Sequence, residues 1–217
     1  MNLDYMPLLQ VMRELQSIPR GQPPDFHAAN LTLSSMGRCD RRSSSHGNTE
    51  LKETMMNRKL IEEYVACGDR LRQAVAGLTS EDLKARPGPG KWSILELVLH
   101  LADSDCISID RMKRMLTEDN PTLLYADETA YVDRLFSHDQ LLEDALTLFE
   151  VGRRQFARVL RKLPDEAFER SGTHNRRGVV KVGAMMEDYI EHVNYHLKFL
   201  LGKRERLGKP LPGNPQR

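Results

Sequence analysis

No run of this 217-residue chain is apolar over the roughly 18–20 residues that a bilayer-spanning helix needs, so a membrane partner is not expected. Cysteine is scarce as well. Cys39, Cys67 and Cys106 are odd in number and widely spaced, which fits neither a disulfide framework nor a zinc ribbon. Reduced thiols in a cytoplasmic protein are the expectation. Aromatic residues make up only 6% and β-branched alternation is missing, which disfavours a β-sandwich or barrel. Charge of one sign is lacking too: 32 Lys and Arg stand against 31 Asp and Glu, a net +1 with no general pull toward nucleic acid or anionic lipid. There is no phosphate-cradling glycine loop, no C-x-x-C and no G-x-S-x-G. The opening MNLDYMPLLQVMRELQ has charges within its apolar stretch and no basic leader, so it is not expected to act as a signal peptide.

What the chain does have is a 40% hydrophobic content, enough for one packed domain. Residues 1–55 read apart from the rest. Ile18–Asp25 is rich in helix breakers and Arg38–Asn48 is polar and aperiodic, and such composition cannot offset the entropy of ordering. This segment is expected to be a disordered extension, or an upstream region outside the native protein, with one short amphipathic helix at Met6–Leu15. The domain is placed at 56–209, and 210–217 is a Pro/Gly-punctuated flexible tail.

Within the domain four helical patterns recur. The first, about 57–77, carries Leu60, Ile61, Tyr64, Leu71 and Val75 at three- and four-residue spacings. The second, about 93–117, opens on the capping box Ser93-Ile94-Leu95-Glu96. The third, about 138–163, follows a second box-like Ser137-His138-Asp139-Gln140, with a stripe from Leu141 through Phe149 and Phe156 to Val159 and Leu163. The fourth, about 180–201, has Gly202 as its expected stop. Helices of these lengths, about 30–39 Å each, can bury their stripes on one another as an all-α four-helix bundle. The long 118–136 connection then crosses over between the second and third helices, and any strands are confined to 172–180. Arg153, Arg154, Arg158, Arg161 and Lys162 read as a solvated basic face, and Cys67 and Cys106 as core thiols.

Three histidines stand out by position. His100 shares the apolar stripe of the second helix with Leu97 and Ile94, while His192 and His196 lie four apart and so on one face of the fourth. A lone histidine on an apolar stripe is most often a hydrogen-bonded core residue, and H-x-x-x-H pairs occur on surfaces by chance. A third imidazole from a facing helix is what turns such a pair into an open metal site. Val193 replaces the glutamate of H-E-x-x-H, which disfavours a thermolysin-type protease. Two carboxylates are candidates for catalysis: Asp105, polar on a largely buried helix, and Asp188, one turn before His192 and about 40° from it around the axis. Trp92, just ahead of the second helix, is read as a hydrophobic staple over the bundle end rather than a substrate platform.

The stretch Gly90-Lys91-Trp92-Ser93-Ile94-Leu95-Glu96-Leu97-Val98-Leu99-His100-Leu101-Ala102-Asp103-Ser104 resembles the second-helix signature of the DinB/YfiT-like superfamily, in which Trp-Ser/Thr and Glu precede His-Leu. Glu191-His192 through His196-Leu197 is similar to the family's histidine-rich last helix. The family often has a further histidine just before the last ligand; Tyr195 stands there instead. The resemblance implies a four-helix bundle, often a homodimer, with one divalent cation (Zn, Ni, Fe or Mn) held by His100, His192 and His196.

Three neutral imidazoles leave the ion's charge uncompensated, so bound water can ionise near pH ~7 and a thiol can bind as thiolate. The function this implies is a metal-dependent enzyme acting on a small molecule: a low-molecular-weight-thiol transferase or a hydrolase. The alternative is a non-enzymatic metal- or small-ligand-binding stress-response bundle. The family name gives no warrant for a nucleic-acid partner.

Overall fold

The computed structural model describes residues 46–88 and 91–211. The short helix expected at 6–15, Cys39, Pro89, residues 1–45 of the expected extension and the tail beyond 211 lie outside that range. Four long helices carry the architecture: α1 (His46–Val75), α3 (Ile94–Thr117), α5 (Leu142–Leu160) and α6 (Val182–Arg206). Two short ones join them, α2 (Ser80–Lys84) after α1 and α4 (Glu128–Arg134) inside the long crossover. The bundle expected from the four apolar stripes is the fold observed. α1 begins some turns ahead of its stripe, whose first fully buried residue is Ile61.

α3 is the central helix, packed on both α5 and α6 and further covered by α2 and α4. Its residues 94–102 are all buried, so it has no solvent face over its first nine residues. The predicted capping box is present: Ser93 Oγ accepts from the Glu96 amide at 3.2 Å and Glu96 Oε2 accepts from the Ser93 amide at 2.7 Å. Because the Glu96 carboxylate is itself buried, Arg86 reaches in to neutralise it.

The second expected box is not a cap. Ser137 Oγ donates to the Val132 carbonyl at 2.8 Å, so Ser137–Asp139 closes as a 3-10 turn and α5 starts at Leu142 with no side-chain cap. Its stripe also turns outward at both ends, leaving Leu141 and Val159 exposed. α6 runs through Gly202 to Arg206, and Gly208, with φ +70°, supplies the left-handed residue that the stop requires. Strands extend beyond the expected turn. β2 (Ser171–His174) and β3 (Gly178–Lys181) form an antiparallel hairpin, and β1 (Thr122–Leu123) from the crossover pairs parallel to β2. This small sheet pins the crossover against the end of α3.

The interior is apolar apart from a few polar groups. Tyr64, Leu71, Ile94, Leu101, Met112, Phe149, Phe156 and Leu160 are almost fully buried, each contributing on the order of 1.5–3 kcal/mol. Cys67 belongs to this core, as predicted; Cys106 is no core thiol, because it lies on the side of α3 that faces solvent, between the buried Asp105 and Ser108. Arg153 also departs from expectation. It is fully buried among the helices, not part of a solvated face, because Asp105 from α3 supplies its counter-charge at 2.8 Å.

Candidate metal centre

α3 and α6 are antiparallel neighbours, and that pairing brings His100 opposite the one-turn pair His192 and His196. The three Nε2 atoms converge at 3.1 Å (His100–His192), 3.2 Å (His100–His196) and 3.0 Å (His192–His196). All three side chains are buried. A neutral imidazole has one N–H and one lone pair, so a closed triangle of three Nε2 atoms cannot be satisfied by mutual hydrogen bonds. With lone pairs turned inward, the arrangement is repulsive unless a cation is shared.

The dimensions suit one. Nitrogen ligands about 2.0–2.1 Å from an ion stand roughly 2.8–3.0 Å apart at octahedral angles and roughly 3.3–3.4 Å apart at tetrahedral ones, which brackets the observed separations. Protonation states agree with this. Burial, reinforced by the neighbouring His196, lowers His100 to about 3. Burial alone lowers His196 to about 4, and burial with the two other imidazoles holds His192 well below the ordinary range. All three are therefore neutral and able to ligate at pH 7. Among the described residues this is the cluster of metal-ligating side chains, and no described helix is long and apolar enough to cross a membrane.

The surroundings are partly aromatic. The Trp92 ring lies 4.9 Å from that of His100, so the residue expected only to staple the bundle end also walls the centre. Tyr195 packs on His196 at 5.3 Å and on the half-exposed Phe199 at 4.7 Å, and Tyr189 meets His192 edge-on at 5.9 Å. On the crossover side, Glu128 Oε2 stands 3.7 Å from His100 Nδ1. Nothing in the spacing of the sequence marks Glu128, since it is brought there by a seven-residue helix in an aperiodic segment.

The two carboxylates singled out from sequence are committed to arginines. Asp105 lies with Arg153 in the bundle interior, where Arg153 also donates to the carbonyls of Tyr64 (3.0 Å) and Tyr189 (3.1 Å). One guanidinium on α5 thus ties together α1, α3 and α6. Burial raises the Asp105 carboxyl even so, against the opposing pull of Arg153. Asp188 pairs with Arg177 of the hairpin turn. The structure does not bring either carboxylate into the triangle. His138, a half-buried residue, bonds Ser93 Oγ at 3.1 Å and takes no part in the centre.

Comparison with known proteins agrees with this picture. The DinB superfamily model matches residues 63–200. The chain belongs to the DinB superfamily. Among its relatives is a protein of Oceanobacillus iheyensis named "Putative metal-dependent hydrolase OB0782", 29% identical over 127 residues, or 58% of this chain and 73% of that one. Another is the "Putative metal-dependent hydrolase YfiT" of Bacillus subtilis, 28% identical over 151 residues covering 69% and 83%. A solved structure of Bacillus subtilis YfiT, described as a probable metal-dependent hydrolase with an unusual four-helix bundle topology, superposes with a TM-score of 0.66 at 26% identity. It covers 79% of this chain and 94% of its own.

Proposed function

We propose that this DinB-superfamily protein is a divalent-metal-dependent enzyme, and that hydrolysis of a small molecule is its reaction. The observation that carries the reading is the convergence of three buried, neutral imidazole Nε2 atoms within 3.2 Å of one another. His100, His192 and His196 would hold the ion. An ion held by three neutral donors keeps its full charge and supplies Lewis acidity toward a water, a thiol or a carbonyl oxygen. The names of the relatives support the hydrolytic reading.

The chain's own residues do the rest. α3 and α6 fix the imidazoles on rigid, packed helices, which keeps the donors aimed without reorganisation. Trp92 walls the centre on one side, and Tyr195 with Phe199 on another; these rings limit water and offer apolar contact to a substrate. The same uncompensated charge also favours a thiolate, so transfer of a low-molecular-weight thiol is the competing reaction at this site.

The deciding experiment loads the protein in turn with Zn²⁺, Ni²⁺, Fe²⁺ and Mn²⁺ and offers two panels. One holds esters, amides and lactones; the other pairs physiological thiols with a chlorodinitrobenzene. Hydrolysis that a chelator abolishes supports the proposal. Thiol conjugation, accompanied by a sulfur-to-metal charge-transfer band in the Co²⁺ protein, replaces it with the transferase reading. Stoichiometric metal with silence on both panels leaves a metal-binding bundle and overturns the enzymatic reading.

A further inference from the structure

The crossover helix α4 places one carboxylate against the back of the candidate centre. Asp127 caps α4, its Oδ1 accepting from the Ala130 amide at 3.0 Å, and so fixes Glu128 as the first residue of the helix. Glu128 is half-buried, and its Oε2 lies 3.7 Å from His100 Nδ1. That separation is roughly 0.8 Å beyond the usual N–H···O distance of about 2.9 Å, a gap that a small side-chain rotation closes.

Two buried polar atoms on α3 face this region without a hydrogen-bond partner: His100 Nδ1 and, one turn further along the same face, Ser104 Oγ. Burial raises the Glu128 carboxyl, and the nearby Ser104 hydroxyl and Arg111 pull the other way, favouring its charged form. Both orphaned atoms can donate, and a carboxylate has two oxygens to accept with. Buried donors without acceptors are rare and each calls for an explanation. A single carboxylate beside both supplies one.

We infer that Glu128 is the positioning residue of the metal centre, accepting a hydrogen bond from His100 Nδ1–H and so directing the His100 Nε2 lone pair at the ion. The inference rests on the three-histidine metal reading above. Its physical content is twofold. A proton held on Nδ1 fixes the tautomer that leaves Nε2 free to ligate, and the negative charge behind the ring makes that nitrogen a stronger donor. Among the described residues, Glu128 is the carboxylate within ion-pair distance of a ligand imidazole. His100 is also the ligand that α3 supplies alone, without the one-turn companion that His192 and His196 give each other. Glu128 further makes metal binding depend on how the crossover is seated, because its carboxylate reaches His100 only while α4 is docked on α3.

The test compares Glu128→Ala and Glu128→Gln with the parent by chelator competition for Zn²⁺, and by the visible absorption of the Co²⁺-saturated proteins. Loss of such a partner typically weakens a metal site ~10–100-fold. That range is the expected loss for Glu128→Ala. Glu128→Gln recovers part of it, because its amide oxygen still accepts the Nδ1 hydrogen. The Co²⁺ bands should shift in both variants, while the thermal midpoint of the metal-free protein stays near the parent's. A merely structural residue would move that midpoint and leave the spectrum of the saturated protein unchanged. Zn²⁺ affinity within about threefold of the parent in Glu128→Ala, with unaltered Co²⁺ bands, overturns the inference. If Glu128→Ala does not fold, the nearly isosteric Glu128→Gln decides: parent-like affinity and bands overturn the inference, and weakened affinity with shifted bands supports it. A parent protein that binds no metal overturns the centre itself, an outcome distinct from tight binding in parent and variant alike.

Discussion

Two of the polar groups that interrupt the apolar interior of this bundle are built on opposite principles. Around Arg153 the charges are closed. Asp105 faces the guanidinium, two backbone carbonyls accept its other hydrogens, and the rings of Tyr64 and Phe149 lie 4.1 and 4.4 Å from it. Around His100, His192 and His196 nothing is closed: three nitrogens point at one another in a triangle that no choice of tautomers can satisfy with mutual hydrogen bonds. A buried charge paired with its opposite is a structural tie, even though Asp105 Oδ2 and Tyr64 Oη find no hydrogen-bond partner of their own. Three imidazole nitrogens turned on one another with no counter-group between them point to something absent from the chain. The difference explains why Asp105, polar and buried near the centre, is not part of it.

The contrast breaks most visibly at the open group. His100→Ala, His192→Ala and His196→Ala should each lose the bound ion, falling from about one per chain to a trace, while helical circular dichroism persists. Removing one of three protein ligands opens the site, but the apolar stripes that hold the bundle are untouched. Elemental analysis after gel filtration is the measurement. Stoichiometric ion in any variant strikes that residue from the ligand set.

The closed group should respond the other way. Arg153→Met leaves the Asp105 carboxylate buried without its counter-charge, and breaking such a pair costs about 3–5 kcal/mol. For a chain of this size that is a drop of roughly 6–20 °C in thermal midpoint, read by calorimetry on the metal-free protein. Folded variant should still bind one ion. A midpoint within a degree or two of the parent's would mean that Arg153 is not the tie described.

Acidification separates the two groups again. The clustered imidazoles ionise near 6.5 when unfolded but only near 3 for His100 and 4 for His196 when folded. Below pH 6.5 the unfolded chain therefore binds more protons than the native one, and stability falls as pH falls. The window runs from about 6.5 down to the folded values, at about 1.4 kcal/mol per pH unit for each imidazole. The buried His174, lowered to about 4 by burial and by Arg111, Arg177 and Arg176, adds the same sign as a common background. Urea midpoints of metal-free parent and His196→Ala at pH 7, 6 and 5 should diverge, the variant losing less stability per unit. Parallel slopes would refute the burial of a neutral His196.

These contrasts also show what could be read from the sequence. The bundle was legible because four apolar stripes at helical spacing have few other ways to be buried, and the meeting of His100 with His192 and His196 because an i,i+4 pair, a histidine on another apolar stripe and the family resemblance pointed the same way. What stayed hidden depends on long-range partners. Arg153 sits in a basic run and looks solvated until Asp105, 48 residues away, is placed beside it. Ser137 looks like a cap until its hydroxyl is seen bonded to Val132. Glu128 lies in a crossover without periodicity, so no local pattern could place it behind His100. Trp92 was recognised as a bundle-end residue, but its contact with the His100 ring needs the α3 entry angle that the buried capping box imposes.

His138 sharpens the comparison at its weakest point, since it is a histidine near neither extreme. Its Nε2 bonds Ser93 Oγ at 3.1 Å and lies 3.6 Å from the Glu96 carboxylate, so it braces the first turn of α3 from outside. The brace is half-exposed and redundant, because Ser93 still accepts from the Glu96 amide and Arg86 still neutralises Glu96. His138→Ala should therefore cost only about 0.5–1.5 kcal/mol, a shift of a few degrees in thermal midpoint, and leave metal stoichiometry at the parent value. The same gel-filtered samples used for the ligand variants provide the measurement. If His138→Ala loses its ion, the entry to α3 and the metal centre are mechanically coupled, and the separation drawn here between bracing and ligating histidines fails.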